Sequence, residues 1–372
     1  MSSTERTTHS NTERTQIDEI AAQLLQERII ADAGGAMAIP LVLLGDRLGL
    51  FDALAGSEPA TASELAERTG LAERYVREWL LVMAASEYIT YQDDAERTSA
   101  TTARYYLTPE QAAFFTDTDS AYYMIGAFQT FSSAPRTFDR LVEAFRTGEG
   151  IGWHEHDDDT YIGNERFFRP AYKAHLVSSW IPALNGLQER LVAGVRAADV
   201  GCGLGASTII MAQTYPATEW IGIDSHPRSI ELARSRAADA GVSDLIDFQE
   251  AGATELSGPY DFVTFLDCLH DMPDPLGALR AARAALTRDG HVMLVEPKSS
   301  DVITDGFHPL GRMMVAASVF VCLPSGLSAA PATGLGNQAG PTRTLLLAHE
   351  AGFGTAQIAL STPFNLVYEL RP

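Results

Sequence analysis

The spacing of hydrophobic and polar residues changes along the chain, and each change marks a different kind of element. From residue 17 to about 54 apolar residues recur at helical spacing, with Ile20, Leu24, Ile29, Ile39, Leu43 and Leu50 as expected buried positions of two or three helices. The segment TASELAERTG then predicts a short helix capped by Thr61 or Ser63 and ended by Gly70. A longer amphipathic helix follows in LAERYVREWLLVMAASEYI, completing a helix-turn-helix. Residues 90 to 107 place short β-prone pieces around the polar turn QDDAERTSATTA, which suits a β-wing, and the whole reads as a winged helix. Residues 116 to 187 are helical and rich in aromatics, in the position of a lid over an apolar pocket.

From Ala198 the period shifts to strand, glycine turn, helix, strand. ADVGCGLGAS runs into the helix STIIMAQTY, WIGID is a short strand, and SHPRSIELARSRAADAG is a helix with Pro227 near its start and Gly241 at its end. YDFVTFLD is another strand, Asp274 and Pro275 open a helix, Asp289 and Gly290 turn the chain, and HVMLVEP is a further strand. Repeated units of this kind specify a parallel, doubly wound sheet, and TAQIAL with PFNLVYEL should close it as an antiparallel pair.

Composition narrows the function. The 372 residues carry 48 Asp plus Glu against 27 Lys plus Arg, a formal charge of −21 that repels phosphate backbones and anionic membranes. The expected recognition helix sets Glu73 and Glu78 against Arg74 and Arg77, and the wing carries Asp93, Asp94 and Glu96, so no nucleic-acid partner is expected. The apolar stretches 29 to 44 and 313 to 323 are short or interrupted by Asp32, Gly34, Gly35 and Pro40, and no membrane role is expected either. Cys202, Cys268 and Cys322 stand far apart without metal-ligand spacing, which fits a reducing, cytoplasmic address.

The sharpest chemical signal is the run Asp199-Val-Gly201-Cys-Gly203-Leu-Gly205 between a strand and a helix, with Asp224 ending the next strand. Glycines there let a ligand approach the backbone, and a terminal carboxylate can accept both hydroxyls of a ribose. The dinucleotide pattern would need glycine at position 206, which is Ala206. The run resembles the first motif of class I S-adenosylmethionine-dependent methyltransferases. That resemblance implies S-adenosylmethionine as cofactor, Asp199 near its methionine amino group, Asp224 at its ribose, and Ala251, Gly252 and Ala253 beside its adenine. Asp267, at the end of the strand that resembles the fourth motif, and Tyr172, on the helix that faces the cofactor in related enzymes, complete the expected cofactor site.

The whole chain is similar to bacterial winged-helix methyltransferases that share their architecture with plant-type small-molecule O-methyltransferases. The implied fold is α/β: a Rossmann-like class I methyltransferase sheet with an antiparallel C-terminal strand, an N-terminal winged helix and a helical lid. The expected division is a disordered tail over 1–15, a winged-helix dimerisation domain over 16–115, a helical linker and lid over 116–187, and an S-adenosylmethionine-binding domain over 188–372. In that group the winged module makes a homodimer.

His270-Asp271 matches the start of the segment that supplies a proton-abstracting histidine in plant-type enzymes, with Met272 where those have Trp. A hydroxyl becomes an adequate nucleophile toward a sulfonium methyl when a base with a pKa near about 6.5 takes its proton, and His270 is the expected catalytic base. The structural alternative is that His270 merely caps the strand-to-helix turn. Trp153, His154, His156, Phe168, His175, Arg312 and Met313 are the expected contacts of the small-molecule acceptor, an aromatic or partly apolar hydroxyl compound. The cluster from His154 to Asp159 offers ligand types for a cation without the spacing of a known site, and no metal is assigned. Nitrogen or carbon acceptors, a cofactor-sensing DNA-binding regulator, and a non-methylating rearrangement are the alternative readings.

Overall fold

The computed structural model describes residues 17–92 and 99–372. The expected tail and the wing residues Asp93, Asp94 and Glu96 lie outside the described residues. Two helices form over this region, within the expected two or three: the 29-residue α1 (Glu19–Arg47), whose first amides are capped by the Asp18 carboxylate, and a short α2 (Leu50–Leu54). Leu43 and Leu50 are buried as expected, but Ile20, Leu24 and Ile29 are 75%, 63% and 58% exposed. The helical period is present, but among the described residues nothing covers these three side chains.

The winged helix is built from α3 (Ala62–Thr69), α4 (Glu73–Ala85), β1 (Thr90–Gln92) and β2 (Arg104–Tyr106). Thr61 and Glu64 cap α3 reciprocally and Gly70 ends it in the left-handed conformation. On α4, Arg77 binds Glu73 at 2.8 Å and Arg74 pairs with Glu78, each one helical turn away, so both cations are spent within the helix. Three helices follow, α5 (Pro109–Phe115), α6 (Ile125–Ser133) and α7 (Phe138–Thr147), and then the lid helix α8 (Asp158–His175), continued by a π turn over 176–180. Arg166 of α8 donates to both Asp46 oxygens, at 3.1 and 3.0 Å, and to Gln129 at 2.8 Å. These bonds anchor the lid to α1 and α6.

After α9 (Leu187–Ala193), the C-terminal half alternates β3 (Arg196–Val200), α10 (Ala206–Thr214), β4 (Glu219–Asp224), α11 (Pro227–Asp239), β5 (Ile246–Glu250), β6 (Tyr260–Leu266), α12 (Pro275–Ala285) and β7 (Leu286–Pro297). Then come α13 (Pro309–Ala317), α14 (Leu323–Gly326), α15 (Pro341–Glu350), β8 (Thr355–Ser361) and β9 (Asn365–Arg371). The seven-stranded sheet has the order β5-β4-β3-β6-β7-β9-β8; β9 runs antiparallel to β7 and β8 antiparallel to β9. Asp289 and Gly290, expected to turn the chain ahead of the strand, lie instead within β7. They sit in a bulge of β7, where pairing skips from Tyr260↔Leu286 to Phe262↔His291.

Both faces of the sheet are covered, and β6 shows the period of two: Phe262 and Leu266 pack with Trp180 and Trp220 on one side, Val263 and Phe265 with Leu279 and Leu294 on the other. Strand order reverses beside β3, so the loops after β3, β4 and β6 open one crevice at the carboxyl edge. Two helical stretches, Glu19–Arg47 and Pro309–Gly326, are long and apolar enough to cross a membrane by length and composition. The second turns Met313, Met314 and Cys322 onto an internal cavity, and the first is the exposed helix α1.

Candidate functional site

The crevice holds a cavity of about 420 Å³, in the size range of small-molecule sites. Its floor is the loop from Gly201 to Leu204. Gly201 is at φ +72, and a Cβ there would lie 2.7 Å from the Cys268 sulfur, so the left-handed turn and the close approach both require glycine. Gly203 also lines the cavity and donates its amide to Asp224 at 2.9 Å. Gly205 does not line it; at φ +80 it seats the start of α10 against Phe248, 2.8 Å from where a Cβ would stand. Its expected ligand contact is therefore corrected to a packing role.

Asp224 ends β4 inside the cavity, its two oxygens held by the amides of Gly203 at 2.9 Å and His226 at 2.8 Å. Burial raises its pKa against the pull of those two bonds. Each oxygen keeps a lone pair for another donor. Ala251, Gly252 and Ala253 line the same cavity at the end of β5.

Asp199 differs from expectation. It is 1% exposed and faces away from the cavity, accepting from Ser207 at 2.7 Å, Thr208 at 2.6 Å and Thr264 at 2.7 Å. It ties β3, β6 and the first turn of α10 together, and so fixes the loop rather than a ligand. The reason is the three hydroxyls, from α10 and β6, that converge on its carboxylate beneath the loop.

Asp267, past the end of β6 at φ +53, lines the cavity and is 5% exposed. Burial, and then the neighbouring Glu296, push its pKa up to about 8. Tyr172 donates to it at 3.1 Å and Asn365 at 2.9 Å. The lid contributes Trp153, His154, Phe168 and Tyr172 to the same wall.

Trp153, Asn164, Phe168, Asp267 and Asp271 also border a second, smaller cavity of about 50 Å³, with His270, Met313, Met314, Cys322 and Asn337 on its far side. His270 is 4% exposed. Its Nδ1 is hydrogen-bonded to Glu296 and its Nε2 lies 3.2 Å from Asp271 Oδ1. Burial alone would lower the imidazole pKa, but the carboxylates of Asp271 and Glu296 outweigh it and hold the pKa well above the usual value. The expectation of a base near the ordinary imidazole pKa is corrected upward.

Three expected acceptor contacts line neither cavity. Arg312 points outward and forms a two-pronged ion pair with Asp32 of α1 at 2.8 and 3.1 Å. His175 is exposed at the end of α8 and stacks on Trp180, ring centroids 6.1 Å apart. His156 is buried beside Trp153 with neither nitrogen hydrogen-bonded, and burial lowers its pKa to about 4. The acids around it are dispersed onto arginines: Glu155 on Arg140, Asp157 on Arg136 and Asp159 on Arg47, at 2.6, 2.6 and 2.7 Å.

Sequence reading passed over Glu296, Cys322, Asn337 and Asn365. Glu296 had a signal, an acid at the carboxyl end of an apolar strand in an open α/β sheet. The other three come from a π turn (Cys322), a loop (Asn337) and the start of β9 (Asn365), whose approach depends on tertiary packing.

Comparison with known proteins places two domains on the chain. Residues 33–117 match the family model of an Rv2258c-like winged HTH domain, and residues 191–318 match that of a methyltransferase domain. Ubiquinone biosynthesis O-methyltransferase of Bordetella avium is 35% identical over 131 residues, 34% of this chain and 51% of that protein. The 27-O-demethylrifamycin SV methyltransferase of Amycolatopsis mediterranei is 38% identical over 107 residues, 28% of this chain and 39% of its own length. The chain thus spans about half the length, or less, of these curated relatives. Human N-acetylserotonin methyltransferase, solved in complex with SAM, superimposes with a TM-score of 0.70 at 17% identity, over 96% of this chain and 99% of that one. At that identity the likeness is one of fold.

Proposed function

We propose that this chain, in which a winged helix-turn-helix domain is joined to a methyltransferase domain of the class I fold, transfers a methyl group from S-adenosylmethionine to a hydroxyl of a small aromatic or partly apolar molecule. The observation that carries the reading is the meeting of two cavities at Asp267 and Asp271, one floored by the glycine loop and Asp224, the other walled by His270. The residues fit the cofactor. Asp224 is a half-buried carboxylate whose backbone bonds leave capacity for two ribose hydroxyls, and the loop presents glycine backbone where an amino-acid tail would lie.

When bound, the cofactor supplies an electrophilic methyl on a sulfonium. Asp224 would hold the ribose, Ala251 to Ala253 would serve the adenine, and Gly201, Gly203, Asp267 and Tyr172 would serve the methionine end; all line the larger cavity. Trp153, Phe168 and Met313 would enclose the acceptor and exclude water, while His154 stands at the rim of the larger cavity. His270 takes the acceptor proton at Nε2, and Glu296 holds Nδ1 and stabilises the imidazolium that results. The deciding experiment incubates the enzyme with methyl-labelled cofactor and matched phenols, enols and amines. Label appearing on oxygen supports the reading; label only on nitrogen replaces it with amine methylation, in which the charge on His270 would serve as a fixed electrostatic contact.

The same charge sets the pH dependence. The imidazolium cannot accept a proton, and its pKa is raised by two carboxylates, so base is gained only as pH rises through that elevated value. Turnover with a hydroxyl acceptor should fall on acidification with its midpoint above the about 6.5 of free imidazole. A pH profile of kcat flat from neutral to alkaline would remove His270 as the base.

The exposed apolar side of α1 is assigned to a second copy of the chain, giving a homodimer. Ile20, Leu24, Leu25, Ile29, Ile30 and Met37 are each more than half exposed. Light scattering should give twice the 40.2 kDa of one chain, and a Leu24→Asp, Ile29→Asp double variant should shift it to the monomer. A wild-type monomer at micromolar concentration would refute the assignment.

A further inference from the structure

We propose that His270, Asp271 and Cys322 bind one soft divalent cation of the zinc class. One ligand atom from each lies within 4.8 Å of the other two. The imidazole Nε2 and Asp271 Oδ1 are already 3.2 Å apart. Bonds of about 2.0 to 2.3 Å in a tetrahedral site put ligand atoms roughly 3.3 to 3.8 Å from one another, so small side-chain movements complete the set.

Four features point toward a cation. The Nδ1 of His270 is held by Glu296, which leaves Nε2 as the free ligating nitrogen and supplies the carboxylate-histidine pair that orients metal-bound imidazoles. Asp271 Oδ1 is buried and accepts no hydrogen bond. Neither Asp271 nor Glu296 is ion-paired to a lysine or arginine among the described residues. The Asn337 amide approaches the Cys322 sulfur at 3.5 Å, where it can donate to a thiolate.

All three side chains border the smaller cavity, so the fourth position opens there, to water. A thiolate favours zinc over magnesium or calcium. On binding, Nε2, Oδ1 and Sγ each donate a pair to the metal, and the protons of the imidazolium and the thiol leave to solvent. Filling the site therefore removes the lone pair that the acceptor's proton would need. That consequence rests on the methyl-transfer reading; the binding does not.

Cobalt(II) is the probe, added to full-length, chelator-treated protein, with S-adenosylhomocysteine calorimetry run on the same sample. One cobalt should bind per chain with a near-ultraviolet thiolate-to-cobalt charge-transfer band, displaced by zinc. Cys322→Ser should lose the band while keeping its near-ultraviolet circular dichroism, and Asp271→Asn should weaken binding at least tenfold. No thiolate band at stoichiometric cobalt, a band that survives Cys322→Ser, or unchanged affinity in Asp271→Asn overturns the site. The calorimetric signal reports separately on the cofactor cavity, so loss of one reading is not mistaken for loss of the other.

Discussion

His270→Ala should lower turnover of a hydroxyl acceptor by roughly 10² to 10⁴ while leaving the affinity for S-adenosylhomocysteine nearly unchanged. The separation follows from position. His270 borders the smaller cavity and not the larger, whereas the glycine loop and Asp224 border the larger one. Removal of the imidazole also leaves Glu296 without its hydrogen-bonded partner, so His270→Gln serves as a second variant that keeps a polar side chain there. Steady-state kinetics with metal-free enzyme, together with calorimetry, checks both halves. Unimpaired turnover in both variants would make the histidine a structural residue of the strand-to-helix turn.

Asp224→Ala should weaken nucleoside binding by about 1.5 to 3 kcal/mol, a factor of roughly ten to two hundred, because a charge-assisted acceptor shared by two ribose hydroxyls is lost. The variant also frees the amides of Gly203 and His226, which Asp224 now holds at 2.9 and 2.8 Å, so the loop itself loosens. Asp224→Asn keeps one amide acceptor and should fall between wild type and Asp224→Ala. Equal affinity in all three proteins, measured by calorimetry, would place the ribose elsewhere.

The fold was legible because its signals are local. Thr61, Gly70, Pro227 and Asp274 mark helix ends by chemistry that acts within a few residues, and each stands at the helix end where the sequence pattern puts it. Burial was legible only in part: among the described residues Leu43 and Leu50 are covered and Leu24 is not, because the helical period marks an apolar side without saying what packs on it. At the site, Asp224 and Asp267 stand at the carboxyl ends of β4 and β6, as the strand pattern places them, and both line the larger cavity. Asp199 was misassigned because its three hydroxyl partners come from α10 and β6, and no spacing rule reveals that Ser207, Thr208 and Thr264 converge on it. Arg312 was misassigned for a similar reason, since its partner Asp32 lies on α1, far away in sequence. Cys322 reaches His270 only through the packing of the π turn over 318–322 on the site.

The most direct test of the central claim is calorimetric titration of the wild-type protein with S-adenosylhomocysteine. The cavity between the glycine loop, Asp224 and the lid predicts one site per chain, weakened in Asp224→Ala. No heat at millimolar ligand, with the protein folded by circular dichroism, would contradict it.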